Sequence, residues 1–142
     1  MKTAIIYRSF FGTTKRYAEL LHKEIESDIY RYNQKDKKSI FEYGLVILCT
    51  GTYAGWISLS GYLQKYWNVL KDREIVLLVI GAAPEDVPWS VRSYEKIPGQ
   101  IRGEIKYYKL PSKIDIKKAS LAPIIEYVKN ITSKEMKNNE KS

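Results

Sequence analysis

The stretch Ile5-Ile6-Tyr7-Arg8-Ser9-Phe10-Phe11-Gly12-Thr13-Thr14-Lys15-Arg16-Tyr17-Ala18-Glu19-Leu20 constrains this chain more than any other. It opens on an apolar run, read as a strand over Lys2–Tyr7 that is apolar on both faces, as a central parallel strand is. The run stops at a short loop bearing Ser9, Gly12, Thr13 and Thr14. From Thr13 to about Glu26, the apolar residues Tyr17, Leu20, Leu21 and Ile25 then recur at helical spacing. A strand that passes through a hydroxyl-rich loop straight into a helix suits a phosphate. The helix start offers unpaired N–H groups and partial positive charge, and the hydroxyls add donors. No Gly-Lys-Ser/Thr follows, so this is not a Walker loop. One glycine is too few for a G-x-G-x-x-G dinucleotide loop. A helix cap with a turn glycine accounts for the same residues if they are taken alone.

The remaining chain continues the alternation. Gly44–Cys49 and Glu74–Ile80 are unbroken apolar runs, expected as buried strands. Asp28–Tyr32 reads as a short second strand, Asn33–Lys38 as a turn, and Ile40–Tyr43 as a helical turn. Ile57–Leu70 carries Leu59, Leu63, Tyr66, Trp67 and Leu70 on one side of a helix. Gly81–Pro98 mixes loop signals with a short helix starting near Val87 or Pro88. Gln100–Tyr108 alternates as a fifth strand, and Asp115–Ile131 is helical, with Pro123 starting a turn or kink there. Strands alternating with helices predict a parallel sheet covered on both faces, with right-handed crossovers. One domain over 1–132 is expected, followed by a polar, disordered tail over 133–142.

Bulk properties narrow the function classes. A chain of 142 residues suffices for one domain with a real core. No apolar run reaches membrane-spanning length. The opening Met1–Arg8 is too short for a signal-peptide apolar region, so a cytoplasmic location is expected. Cys49 and His22 are the single residues of their types, which leaves no His/Cys metal cluster and no internal disulfide. The formal net charge of +8 is open to nucleic acid, anionic lipid or an acidic protein partner, but the charges are scattered and read as a solvated basic surface. Arg92, Lys96, Arg102, Lys106 and Lys109 come nearest to a basic cluster, but no nucleic-acid partner is expected from charges so scattered.

The spacing of the opening stretch resembles the signature of the flavodoxin family, with Ile5, Ile6, Tyr7, Ser9, Gly12, Thr14, Ala18 and Leu20 in the matching places. That resemblance implies a flavodoxin-like α/β fold. It is a doubly wound five-stranded parallel sheet in the order 2-1-3-4-5, with helices on both faces and flavin mononucleotide (FMN) as cofactor. It places three loops on one sheet edge. Ser9, Phe10, Phe11, Gly12, Thr13 and Thr14 would take the phosphate through hydroxyls and backbone N–H groups. Phe11 departs from many members, which carry a hydroxyl there. Thr50, Gly51, Thr52, Tyr53, Ala54, Gly55 and Trp56 would meet the flat ring. Ala54 or Gly55 would be the backbone group facing flavin N5, and Tyr53 or Trp56 would cover or stack. Gly81, Ala82 and Ala83 would line the pyrimidine edge, with Trp89 as a candidate lid. The alternative is that Tyr53 and Trp56 seal the sheet edge and that Trp89 fills the core.

The string Gly51-Thr52-Tyr53-Ala54-Gly55 and the later Pro98-Gly99 resemble the subgroup that includes menaquinone-dependent protoporphyrinogen oxidases. The resemblance therefore implies an FMN-binding redox protein acting with redox partner proteins. The alternative is a small flavin oxidoreductase of the protoporphyrinogen or quinone type, acting on a small oxidisable or reducible substrate. No catalytic side chain is expected, because the cofactor carries the chemistry. The same fold also hosts flavin-free binding and regulatory modules. A receiver-type regulator needs an acidic cluster at the ends of strands one and three, and Tyr7-Arg8-Ser9 and Cys49-Thr50 lack one.

Overall fold

Three apolar strands set the architecture. In the computed structural model, which describes residues 1–34, 37–53, 55–82, 85–111 and 118–141, β1 (Thr3–Arg8), β3 (Leu45–Tyr53) and β5 (Glu74–Gly81) are buried over most of their lengths. β2 (Asp28–Arg31) and β6 (Lys106–Pro111) are more polar and form the edges. These five strands are parallel and lie in the order β2-β1-β3-β5-β6. A two-residue strand, β4 (Trp56–Ile57), turns back antiparallel against the end of β3. With β4 set aside, this is the expected 2-1-3-4-5 order.

Alternate residues of each central strand feed two separate apolar layers. Ile6, Leu48, Leu77 and Val79 face one cluster, whereas Ile5, Ile47, Cys49, Leu78 and Ile80 face the other. The second layer is closed by α1 (Thr13–Glu24) through Tyr17, Ala18 and Leu21, and by α7 (Ala122–Lys141) through Ile124, Ile125 and Val128. The first is closed by α3 (Ser60–Lys65), α4 (Trp67–Leu70) and α6 (Gly99–Arg102), which bring Leu63, Leu70 and Ile101. Two short helices complete the chain, α2 (Lys37–Ile40) and α5 (Pro88–Glu95), and a 3-10 turn over Lys118–Leu121 precedes α7. At about 25 cal/mol per Å² of apolar area, this double burial is the main force holding helices to both faces.

Several boundaries differ from the sequence reading. The helix expected over Ile57–Leu70 is two short helices, because Ile57 is drawn into β4 and the chain kinks at Tyr66. The fifth strand begins at Lys106 rather than Gln100. Pro98 starts a helical turn, since the N–H groups of Ile101 and Arg102 both donate to its carbonyl, and Ile101 turns into the core. The stretch 133–141, expected as a disordered tail, continues α7 to Lys141. Its Lys, Glu, Met and Ser residues are compatible with helix, and polarity alone does not stop one.

Cys49 is fully buried in the layer under α1, and burial pushes its thiol up to about 12. It is a core residue and not a reactive nucleophile. No helix among the described residues is long and apolar enough to cross a membrane.

Candidate functional site

Parallel strands all end on the same edge, so the loops after β1, β3 and β5 meet there. The first loop is shaped by Gly12, whose φ of 87° suits a residue without Cβ. The Gly12 N–H donates to Ser9 Oγ at 3.0 Å, which folds the loop back on itself and leaves the Ser9 hydroxyl proton free to donate. The first intrahelical bond of α1 runs from the Arg16 N–H to the Gly12 carbonyl at 3.0 Å. No side chain among the described residues caps this helix start. The N–H groups of Thr13, Thr14 and Lys15 therefore have no acceptor among the described residues, and they point outward with the positive end of the helix. Thr13 is partly exposed beside them. Thr14 is buried, and its Oγ1 lies 3.5 Å from where a Cβ on Gly51 would stand.

Aromatic side chains crowd the same edge. Phe10 and Tyr53 stack at 5.2 Å with ring planes 27° apart, which bridges the first and second loops. Arg8, which the sequence reading passed over, lies between Phe10 (5.1 Å) and Tyr32 (4.8 Å) and donates to the Ser58 carbonyl at 3.2 Å. Phe11 is 90% exposed, so it neither seals nor packs. Tyr53, Trp56 and Trp89 are all more than half exposed. Trp89 thus has no core role, and Trp56 does not seal the sheet edge.

The second loop is a hairpin pinned from α5. Gly55 sits at φ 80°, and its carbonyl accepts from Ser93 Oγ at 2.9 Å and from Lys96 Nζ at 2.8 Å. The same ammonium lies 4.1 Å from the centre of the Trp56 ring. Thr50, expected to meet a ligand, is fully buried instead. Its Oγ1 bonds Ser58 Oγ at 2.7 Å, accepts from the Leu59 N–H at 3.0 Å and lies 3.1 Å from the Gly51 carbonyl. That side chain serves the return of the chain from β3 into α3. Ala54 and Ala83 lie outside the described residues.

On the face away from α1, the side chains of Thr52 and Lys109 converge on Gly81 at the end of β5. A Cβ on Gly81 would meet Lys109 Nζ at 2.6 Å and Thr52 Oγ1 at 3.1 Å. Gly81 is buried and Ala82 is exposed just beyond it. The five cations noted in the sequence are dispersed among different partners. Lys96 is bound to the hairpin, Arg102 donates to the Ile97 carbonyl, Lys106 faces Tyr108 and Tyr127, Lys109 reaches Gly81, and Arg92 is exposed on α5.

A family model described as a flavodoxin domain matches residues 4–135. The chain belongs to the flavodoxin domain family. Among solved structures, the flavodoxin of Streptococcus pneumoniae is similar at a TM-score of 0.64 and 12% identity, covering 94% of this chain and 99% of that one. Flavodoxin 2 of Bacillus cereus gives 0.63 and 15%, with 94% and 99% covered. A Lactobacillus acidophilus flavoprotein solved in complex with FMN gives 0.54 and 15%, covering 78% of this chain and 91% of that one. No curated protein matches the sequence.

FMN is the cofactor of this family, and the loops of this flavodoxin domain fit it. The open helix start with Ser9 and Thr13 supplies donors for a phosphate. The small, buried Gly81 at the end of β5 and the exposed Tyr53, Trp56 and Trp89 suit a flat apolar ring with polar edges.

Proposed function

We propose that this flavodoxin domain is an electron carrier that holds FMN across the ends of β1, β3 and β5 and passes electrons between protein partners. The observation that supports this most strongly is the meeting of two unlike surfaces on one edge. An uncapped helix start with hydroxyl donors lies beside loops carrying solvent-facing aromatic rings. Bound FMN would supply one- and two-electron chemistry. The chain would supply placement. Thr13, Ser9 and the N–H groups of 13–15 take the phosphate, and Tyr53 flanks the ring. The Gly55 peptide, held by Ser93 and Lys96, borders it on one side, and Gly81 and Ala82 border it on another.

A small flavin oxidoreductase is the second reading. The Gly51–Gly55 string favours it through its resemblance to the protoporphyrinogen oxidase subgroup, and the positive charge suits an anionic substrate.

An absorbance spectrum after FMN is added and the excess removed tests the cofactor. Flavin bands that elute with the protein support it, and a flavin-free protein at high concentration overturns it in favour of a binding module. The combined Ser9→Ala and Thr13→Ala variant then tests the phosphate site. It should weaken FMN by about tenfold or more, at about 1 kcal/mol per lost hydrogen bond, and leave riboflavin nearly unchanged. Equal weakening of both ligands would remove the phosphate from this loop.

A further inference from the structure

Lys109 is poorly placed for an ordinary surface lysine. β6 is an edge strand, yet this side chain is only partly exposed. It leans along the sheet past Val79, its neighbour in register, to the end of β5. There its ammonium occupies the space that any side chain on residue 81 would fill, 2.6 Å from an ideal Cβ position, with Thr52 Oγ1 3.1 Å from the same point. Among the described residues it has no ion pair and no hydrogen bond. Partial burial pushes its amine below the usual lysine range, because the charged form loses water. Glu85 and Asp86 follow on the next turn and are both exposed, but neither pairs with it. The ends of β3 and β5 thus hold a half-buried positive charge that is unpaired among the described residues.

We infer that Lys109 is a positioning cation for the reduced cofactor, binding the negative charge that two-electron reduction leaves on the flavin ring. This rests on the FMN reading above. Reduction of a bound flavin by two electrons and one proton from its donor would leave one net negative charge on the ring at neutral pH. An ammonium at the ends of β3 and β5 favours that anion over the neutral ring, and a group that favours one state shifts the equilibrium by its differential affinity. A glycine at 81 is what allows the ammonium to stand there. Lys96 also lies at these loops, but its charge is already committed to the Gly55 carbonyl and the Trp56 face.

The test compares Lys109→Gln with the parent. Dissociation constants are measured for oxidised FMN and for dithionite-reduced FMN under anaerobic conditions. The ratio of reduced to oxidised dissociation constants should rise about tenfold in the variant, which for a two-electron couple is a midpoint potential lower by about 30 mV. A merely structural role would weaken both forms together and leave the ratio unchanged, and that result overturns the inference. Should Lys109→Gln fail to fold, Gly81→Ala carries the same test. The added Cβ displaces the flexible ammonium, so the ratio should move in the same direction, and an unchanged ratio again overturns the role. A parent protein that binds neither form of FMN overturns the cofactor reading itself, and this inference with it.

Discussion

Thr50 is a polar residue at the C-terminal end of a central strand, a position that invites a ligand-binding reading. Its surroundings decide otherwise. With the side chain fully buried, its oxygen has to be satisfied by protein, and Ser58 and the Leu59 N–H do so. Thr50→Val keeps the shape and leaves that N–H and the Ser58 hydroxyl without this partner. The expected cost is about 1–3 kcal/mol. It should appear as a lower urea midpoint with unchanged slope, and Thr50→Ser should restore most of the loss. A valine variant as stable as the parent would mean that the hydroxyl is not the tie between β3 and α3. Lys109 shows the opposite legibility problem. It stands among scattered cations in the sequence and becomes distinctive only beside Gly81, 28 residues away, through strand pairing. Ser9, Gly12 and Thr13 were readable because their partners lie within the same few residues.

At the scale of elements, what the sequence revealed was what local pattern controls. β1, β3 and β5 stood out because burial on both faces demands unbroken apolar runs. The boundaries of β6 did not, since alternation across Gln100–Tyr108 fits a strand as well as a helical turn that buries only Ile101. The β3–β4 hairpin was also hidden, because its anchors Ser93 and Lys96 lie in another element, 38 and 41 residues from Gly55. That hairpin depends on Gly55 at φ 80°. A side chain there pays about 1–2 kcal/mol for the left-handed conformation. Gly55→Ala should therefore lower stability by about 1 kcal/mol. It should also speed hydrogen exchange at the Tyr53–Trp56 and Thr52–Ile57 pairs more than within β1. Uniform acceleration across the sheet would show that the hairpin is not an independent unit of loosening.

For the whole molecule, the fold places the candidate site on one edge and the composition surrounds it with excess positive charge. Lys and Arg exceed Asp and Glu by 24 to 16, a formal net charge of +8. Such a field acts on encounter more than on the bound state, and salt with a Debye length of about 8 Å at 0.15 M screens it. The electron-carrier reading therefore carries a directional consequence: productive partners present an acidic face. Oxidation of the dithionite-reduced, FMN-loaded protein by small metal complexes isolates the electrostatic part, since those complexes need no docking surface. An anionic oxidant such as ferricyanide should react faster at low salt and slow by several-fold as ionic strength rises from about 0.02 to 0.5 M. A cationic cobalt or ruthenium ammine complex should show the reverse trend. Salt trends of the same sign for both, or none for either, would mean that the net charge does not reach the ring edge. The local balance at the three loops, where Glu85 and Asp86 oppose Lys96 and Lys109, would then govern partner choice instead.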